Sequence, residues 1–204
     1  MESASNVSCR RCRAFLPQCF CGHIVRLAPS QTRLVILMHA SEAKKKSSTA
    51  LLAREIFGPR CEIRVVGSRS ARLALDDLVA PSASPYYPFP CDSAPELTPQ
   101  LAAELPRPLT LLIPDGSWRQ ARRIRRRNGQ LHAVPSLRLA AGSPARYQLR
   151  RQSRACHVCT LEAAARALTV LEGFDFQSPI EALLDVFNER LMGGRLPRPR
   201  AGAA

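Results

Sequence analysis

Four thiols near the start of the chain have the spacing of a metal site. Cys9, Cys12, Cys19 and Cys21 follow the pattern C-x2-C-x6-C-x-C, whose two short chelating loops bring four soft ligands to one tetrahedral Zn2+. A site closed by four thiolates leaves no position for water. Its expected role is therefore structural, tying down a segment too short to hold a core of its own. Uncoordinated thiols are the plainer reading, and His23 becomes a ligand only if a cysteine is not used. A second pair, Cys156-His157-Val158-Cys159, has no matching half. It reads as incidental thiols at a helix start, with a weak metal or redox site as the alternative. Cys61 and Cys91 look structural.

The other candidate chemistry lies at Pro114-Asp115-Gly116-Ser117, where an apolar run ends and a helix begins. Open α/β sheets bind ligands just past the carboxyl end of a strand, facing a helix N-terminus. Asp115 there is either a base or hydrogen-bond acceptor for a ligand, or an ordinary helix N-cap. Backbone N–H groups at residues 116–118 suit a carboxylate or a ribose oxygen. Trp118, the one tryptophan, shares a narrow apolar stripe with Ala121 and Ile124, a core pattern more often than a stacking platform. The rest of the helix is basic: Arg119, Arg122, Arg123, Arg125, Arg126 and Arg127 fall within nine residues. They repel one another, so that face is either solvated or bound to a phosphate backbone.

The whole chain is basic as well. Its 204 residues carry 30 Lys+Arg against 16 Asp+Glu, a net charge of +14, and the isoelectric point is near 10.5. Residues 116–161 contain eleven arginines and no acid. Such a field points to a polyanion, nucleic acid or a membrane surface. The longest apolar runs, residues 34–38 and 109–113, are far below the ~20 residues of a membrane span. Residues 1–6 are polar with no apolar run after them, so no targeting segment is read. A soluble protein of the cytosol is expected, where eight cysteines argue for metal or free thiols before disulfides.

Several elements must position these residues. Residues 33–38 and 61–66 read as strands around a helix over 42–57, stopped by Gly58-Pro59, which makes a β-α-β unit. Residues 69–78 suggest a short helix. Residues 81–95 read as a Pro/Ser/aromatic loop without regular structure. Thr98-Pro99 opens a helix to about Leu105. Residues 109–113 form a buried strand, the basic helix runs to Asn128 with Gly129 as its C-cap, and residues 131–134 are a short strand. Two helices follow, one capped by Thr160 with Leu161, Ala164, Ala165 and Leu168 on one face, the other opened by a Ser178-Pro179-Ile180-Glu181 capping box. The expected organisation is a zinc-binding segment over 1–27, one catalytic α/β domain over 28–194 and a disordered tail over 195–204.

Five blocks in order carry a family likeness: the cysteine cluster; His39-Ala40-Ser41-Glu42 with Ser48-Thr49; Leu112-Ile113-Pro114-Asp115-Gly116-Ser117-Trp118; Tyr147-Gln148-Leu149-Arg150; and Cys159-Thr160-Leu161-Glu162-Ala163. Over residues 9–190 the chain resembles the DTW-domain proteins. That family is similar to tRNA-uridine aminocarboxypropyltransferases, which move the 3-amino-3-carboxypropyl group of S-adenosylmethionine to N3 of a tRNA uridine and release methylthioadenosine. The resemblance implies an α/β, SPOUT-like sheet flanked by helices, with a C-terminal knot that general topology rules would not suggest.

Carried over residue by residue, Asp115 and Trp118 match the signature Asp and Trp, with Ser117 where Thr is usual. Thr160, Glu162 and Ala163 match a Ser-Thr-x-Glu-Ala segment with Cys159 at the Ser position. His39 and Glu42 match His-Pro-x-Glu with Ala40 for Pro. The implied roles are Asp115 and Trp118 at the reacting atoms, and Pro114, Asp115, Gly116, Ser117, Trp118 and Thr160 around S-adenosylmethionine. Arg119, Arg122, Arg123 and Arg126, with Lys44, Lys45 and Lys46, would grip tRNA phosphates, and a structural Zn2+ would sit on Cys9, Cys12, Cys19 and Cys21. A SPOUT-type RNA methyltransferase and a non-catalytic zinc-containing RNA-binding module are the alternatives.

Overall fold

The computed structural model describes residues 7–27, 30–67, 75–91, 93–149 and 158–192. Cys156 and His157, Arg150, Arg151 and Arg154, most of the short helix expected over 69–78, and the tail from Arg195 lie outside the described residues. The strands are β1 (Arg33–His39), β2 (Cys61–Val66), β3 (Pro85–Pro88), β4 (Glu96–Leu97), β5 (Thr110–Asp115) and β6 (Ser136–Leu139). The helices are α1 (Ala50–Phe57), α2 (Asp76–Val79), α3 (Pro99–Glu104), α4 (Trp118–Arg127), α5 (Thr160–Glu172) and α6 (Gln177–Met192).

All six strands run parallel in one sheet of order β2-β1-β5-β3-β6-β4. β1 and β5 are neighbours in its interior, paired along the whole of β5 with Met38 opposite Asp115. Their near-continuous apolar sequence follows from cover on both faces. On one face Leu34, Ile36, Met38, Leu111 and Ile113 pack against side chains of α1, α3, α5 and α6. On the other, Val35, Leu37, Tyr87 and Leu112 meet Leu78 of α2 and Ile124 of α4. The cysteine-rich segment belongs to the first core. Cys12, Ala14, Phe20 and Ile24 are buried in it, and Phe20 meets Phe187 of α6 edge-on, ring centroids 5.1 Å apart.

Several local expectations give way to this packing. The first helix starts at Ala50 rather than Glu42, and residues 40–49 form turns. Glu42 accepts from Lys45 at 2.6 Å inside those turns, and the serines that follow suit turns better than a helix interior. The proline-rich stretch contains a strand after all, because β3 pairs only briefly. Its N–H groups at Tyr87 and the following Phe89 reach Pro135 and Leu137, whereas the nitrogen of Pro88 faces the side where pairing with β5 has already ended at Tyr86 and Leu111. Proline costs a sheet nothing where no donor is needed.

Residues 131–134 are not a strand. A 3-10 turn over Gly129–His132 precedes β6, and Asn128, not Gly129, caps α4. Cys159 rather than Thr160 is the N-cap of α5. At α6 the capping carboxylate belongs to Asp175, which accepts from Gln177 and Ser178 N–H at 2.9 and 3.0 Å, so Ser178 lies inside the helix. Thr98 caps α3 as expected, accepting from Leu101 N–H at 3.2 Å.

Candidate active site

The turn after β5 separates the two readings of Asp115. Ser117 is the N-cap of α4, accepting from Gln120 N–H at 3.3 Å while Gln120 Oε1 accepts from Ser117 N–H at 2.7 Å. This capping box leaves Asp115 without a capping duty. Gly116 makes the tight turn possible: its φ is +153°, and a Cβ there would lie 3.0 Å from Gln120 Cβ and 3.4 Å from His39 Cβ. Asp115 is buried, and its Oδ1 accepts from the Thr160 hydroxyl at 2.6 Å. A carboxylate held in a dry position by a directed donor can accept a proton or hold a cation.

Blocks far apart in sequence interlock around that contact. Thr160 opens α5, and its neighbour Cys159 turns its thiol toward Thr49, with burial pushing the thiol well above its usual range. Glu162, also buried, accepts from Cys159 N–H at 2.8 Å and from Arg146 N–H at 2.5 Å. One carboxylate thus holds two points thirteen residues apart. Asn188 of α6 completes the clamp, donating to Arg146 O at 2.7 Å and accepting from Gln148 N–H at 3.1 Å. Between them Tyr147 donates to Ser47 O at 2.8 Å. The turns after β1, the end of β5, residues 146–148 and the start of α5 therefore form one hydrogen-bonded unit on the α1/α5 face of the sheet.

The basic helix starts from the same turn but packs on the opposite face, where Ala121 and Ile124 are buried. Gln120 reaches back to the end of β1, donating to Ser41 Oγ at 2.9 Å and lying 3.2 Å from His39 Nδ1. Trp118 is half-buried and meets Phe89 in a tilted contact, ring centroids 5.6 Å apart, and Phe89 in turn meets Tyr87 at 6.1 Å. Arg119, Arg122, Arg123, Arg126 and Arg127 are exposed. Arg125 is not: it donates to Ser136 Oγ and to Val134 O, and lies over the Tyr87 ring. Of the three lysines, Lys44 is exposed, Lys45 pairs with Glu42, and Lys46 donates to Ser8 Oγ at 2.9 Å with its ammonium over the Phe15 ring.

Two cavities flank the Phe89–Trp118 pair. One of about 300 Å3 is lined by Tyr87, Phe89, Arg122, Arg126 and His132 among others. A larger one of about 800 Å3 lies between the residues after β3 and those entering β6, with Phe89, Pro90, Cys91, His132 and Leu137 in its wall. A volume of several hundred Å3 suits a small-molecule ligand. Neither cavity includes Asp115 or Thr160, and Phe89, which lines both, is in contact with Trp118 of the strand-end motif. Sequence reasoning missed Phe89 and His132. The cluster of aromatics among prolines at residues 85–90 was the available signal.

The four cysteines of the N-terminal segment converge. Their sulfurs all lie within 4.8 Å of one another, with Cys9 and Cys21 at 3.4 Å and Cys12 and Cys19 at 3.7 Å. Tetrahedral coordination at about 2.3 Å would place thiolates about 3.8 Å apart, so the set fits a zinc ion with little adjustment. Within the turn, backbone N–H groups of Cys12 and Arg11 directed at Cys9 draw its thiol down to about 6, whereas burial pushes Cys12 up and Cys21 up to about 12.

The chain matches the model of the DTW domain over residues 6–192. It is 29% identical over 170 residues to tRNA-uridine aminocarboxypropyltransferase 2 of Drosophila melanogaster, a match covering 80% of this chain and 66% of the fly protein. The enzymes of the same name from Mus musculus and Macaca fascicularis are each 28% identical, with 80% of this chain and 56% of theirs covered. The chain thus spans under two thirds of the length of these relatives. No solved structure matches it.

Proposed function

The chain belongs to the DTW-domain family, and from that premise we propose that it is a tRNA-uridine aminocarboxypropyltransferase whose donor is S-adenosylmethionine. The observation that carries the reading is Asp115, buried at the end of the central strand, bonded to Thr160 and relieved of helix capping by Ser117. Uridine N3 carries an imide proton that must leave before or during attack on the CH2 beside the sulfonium. The N3–C bond forms as the C–S bond breaks, the proton passes to Asp115, and methylthioadenosine departs as a neutral thioether. In the competing role Asp115 holds the donor's ammonium group. In either role the rate depends on how nucleophile and sulfonium are placed.

The donor lies in this reading against Pro114, Gly116, Ser117, Trp118 and Thr160, and extends past the Trp118–Phe89 pair toward the larger cavity. The exposed arginines of α4 and Lys44 grip phosphates. The parallel six-stranded sheet covered by helices on both faces agrees with the SPOUT-like, knotted fold that the family resemblance implies, and the reading includes that topology. The convergent thiols support a structural zinc ion on Cys9, Cys12, Cys19 and Cys21. No described helix is long and apolar enough to cross a membrane; the cytoplasm as the protein's place is part of the tRNA-modifying reading.

The test is incubation of the protein with unmodified tRNA and S-adenosylmethionine, followed by mass spectrometry of nucleosides and of the small-molecule coproduct. Aminocarboxypropyluridine with methylthioadenosine is expected. S-adenosylhomocysteine instead would make the protein a methyltransferase, and no turnover with no donor binding would leave an RNA-binding module. Asp115→Asn separates the two roles of the carboxylate. Lost turnover with donor affinity kept marks a base, whereas lost donor affinity marks an ammonium ligand.

A further inference from the structure

The segment that carries the four cysteines is also basic and free of acids, with Arg10, Arg11, Arg13 and Arg26 over residues 7–27, although it lies on the other side of the sheet from α4. Between Val7 and Arg54 the sequence contains one acid, Glu42, and Lys45 neutralises it. Arg11 is likewise spent on Glu55. Arg10, Arg13, Lys44 and Lys46 have no acidic partner among the described residues. Arg10 and Lys44 are exposed.

Those charges are locked into one surface. Arg13 donates to Ala43 O at 2.8 Å, Lys46 donates to Ser8 Oγ at 2.9 Å, and the Lys46 ammonium sits 3.1 Å from the Phe15 ring centroid. The cysteine turn is thereby fixed against the turns after β1. Those turns open the α1/α5 layer and contact residues 147 and 159 through Ser47 and Thr49. Helix α4 presents its arginines from the opposite layer. The strand ends at His39 and Asp115 therefore lie between two basic surfaces belonging to different layers of the fold.

We infer that the cysteine-rich segment is itself an RNA-binding surface, with the exposed Arg10 joining Lys44 to hold the phosphate backbone opposite the track held by α4 while Arg13 and Lys46 brace the turns beneath them, so that the RNA straddles the carboxyl edge of the sheet. The inference rests on the tRNA reading proposed above. An isolated zinc staple would not need an acid-free surface, because its stability comes from coordination and from the shared core. Cations left without acids are what counterion release at a polyanion exploits.

The test is the salt dependence of binding to a fluorescent tRNA transcript, for the full chain and for Arg10→Ala and Arg10→Glu. Zinc content and thermal midpoint are recorded for each. Arg10 points into solvent between two ligands, so zinc content and midpoint should stay at the unsubstituted values. The expected result is a log–log salt slope shallower by about 0.7–0.9 for Arg10→Ala, and weaker binding still for Arg10→Glu. Equal affinity and slope in all three, while the unsubstituted protein binds and modifies tRNA, would overturn this inference and leave the enzymatic reading intact. Failure of the unsubstituted protein to bind tRNA would remove both.

Discussion

Thr160 tests the residue scale most directly. Its hydroxyl donates to the buried Asp115 carboxylate, and a hydrogen bond to a charged group contributes about 1.5–3 kcal/mol. Thr160→Val should therefore lower turnover by about tenfold or more while the protein stays folded, and Thr160→Ser should restore most of it, both read as initial rates of modified-uridine formation. Glu162 acts one step away, through the amides of Arg146 and Cys159. Glu162→Ala is expected to cost about 1–3 kcal/mol, and hydrogen exchange should show faster exchange at those two amides than at the rest of α5. Asp115 had two open readings in the sequence because aspartate is both a good cap and a good base. The hydroxyl of Ser117 took the cap, a contact that depends on how the turn closes at Gly116.

Helix α4 carries the predictions at the scale of elements. Its capping box should make Ser117→Ala cost about 1 kcal/mol, measured by denaturant unfolding. Replacing Arg122, Arg123 and Arg126 together with alanine should flatten the salt slope of tRNA binding by roughly 2–3, at about 0.7–0.9 per lost contact. Arg125 behaves differently, since it is tied to Ser136 and Val134. Arg125→Ala should lower stability rather than the salt slope. The amphipathic stripe of Ala121 and Ile124 was plain in the sequence, because helical spacing alone sets which positions share a face. The distinct fate of one arginine among six was not, because it depends on the residues entering β6, which lie across the helix only after folding.

For the whole molecule, two contacts far from the strand ends control integrity. Phe20 ties the cysteine segment into the core against Phe187. Chelation of a bound zinc ion should therefore lower the thermal midpoint of the entire domain in one transition, and Phe20→Ala should cost about 3–5 kcal/mol. At the opposite end of the sheet Glu172 accepts from Ser30 Oγ, Thr32 N–H and Thr32 Oγ1 at 2.9, 2.9 and 2.5 Å. Burial alone would raise its carboxyl, but the hydrogen bonds from Thr32 and Ser30 outweigh it and hold the group below its usual range. A carboxyl lowered by folding stabilises the protein above its unfolded pKa, and that contribution disappears as pH falls through the folded value. Stability should thus decline on the acid side, and Glu172→Gln should make that decline shallower in denaturant unfolding at a series of pH values.

The sequence by itself determined the β-α-β unit, the cysteine spacing, the two apolar strands that become β1 and β5 and the acid-free basic stretch. Each of these is written in local periodicity or in short-range spacing. Strand β3 stayed hidden because its prolines mimic a loop unless the partner strands are known. Only the tertiary structure decided that Asp115 meets Thr160 and that Glu162 holds residues 146 and 159. It alone placed the basic helix and the cysteine segment on opposite layers. These are contacts between residues tens of positions apart, and side-chain chemistry offers several partners for each until the packing of the sheet leaves one within reach.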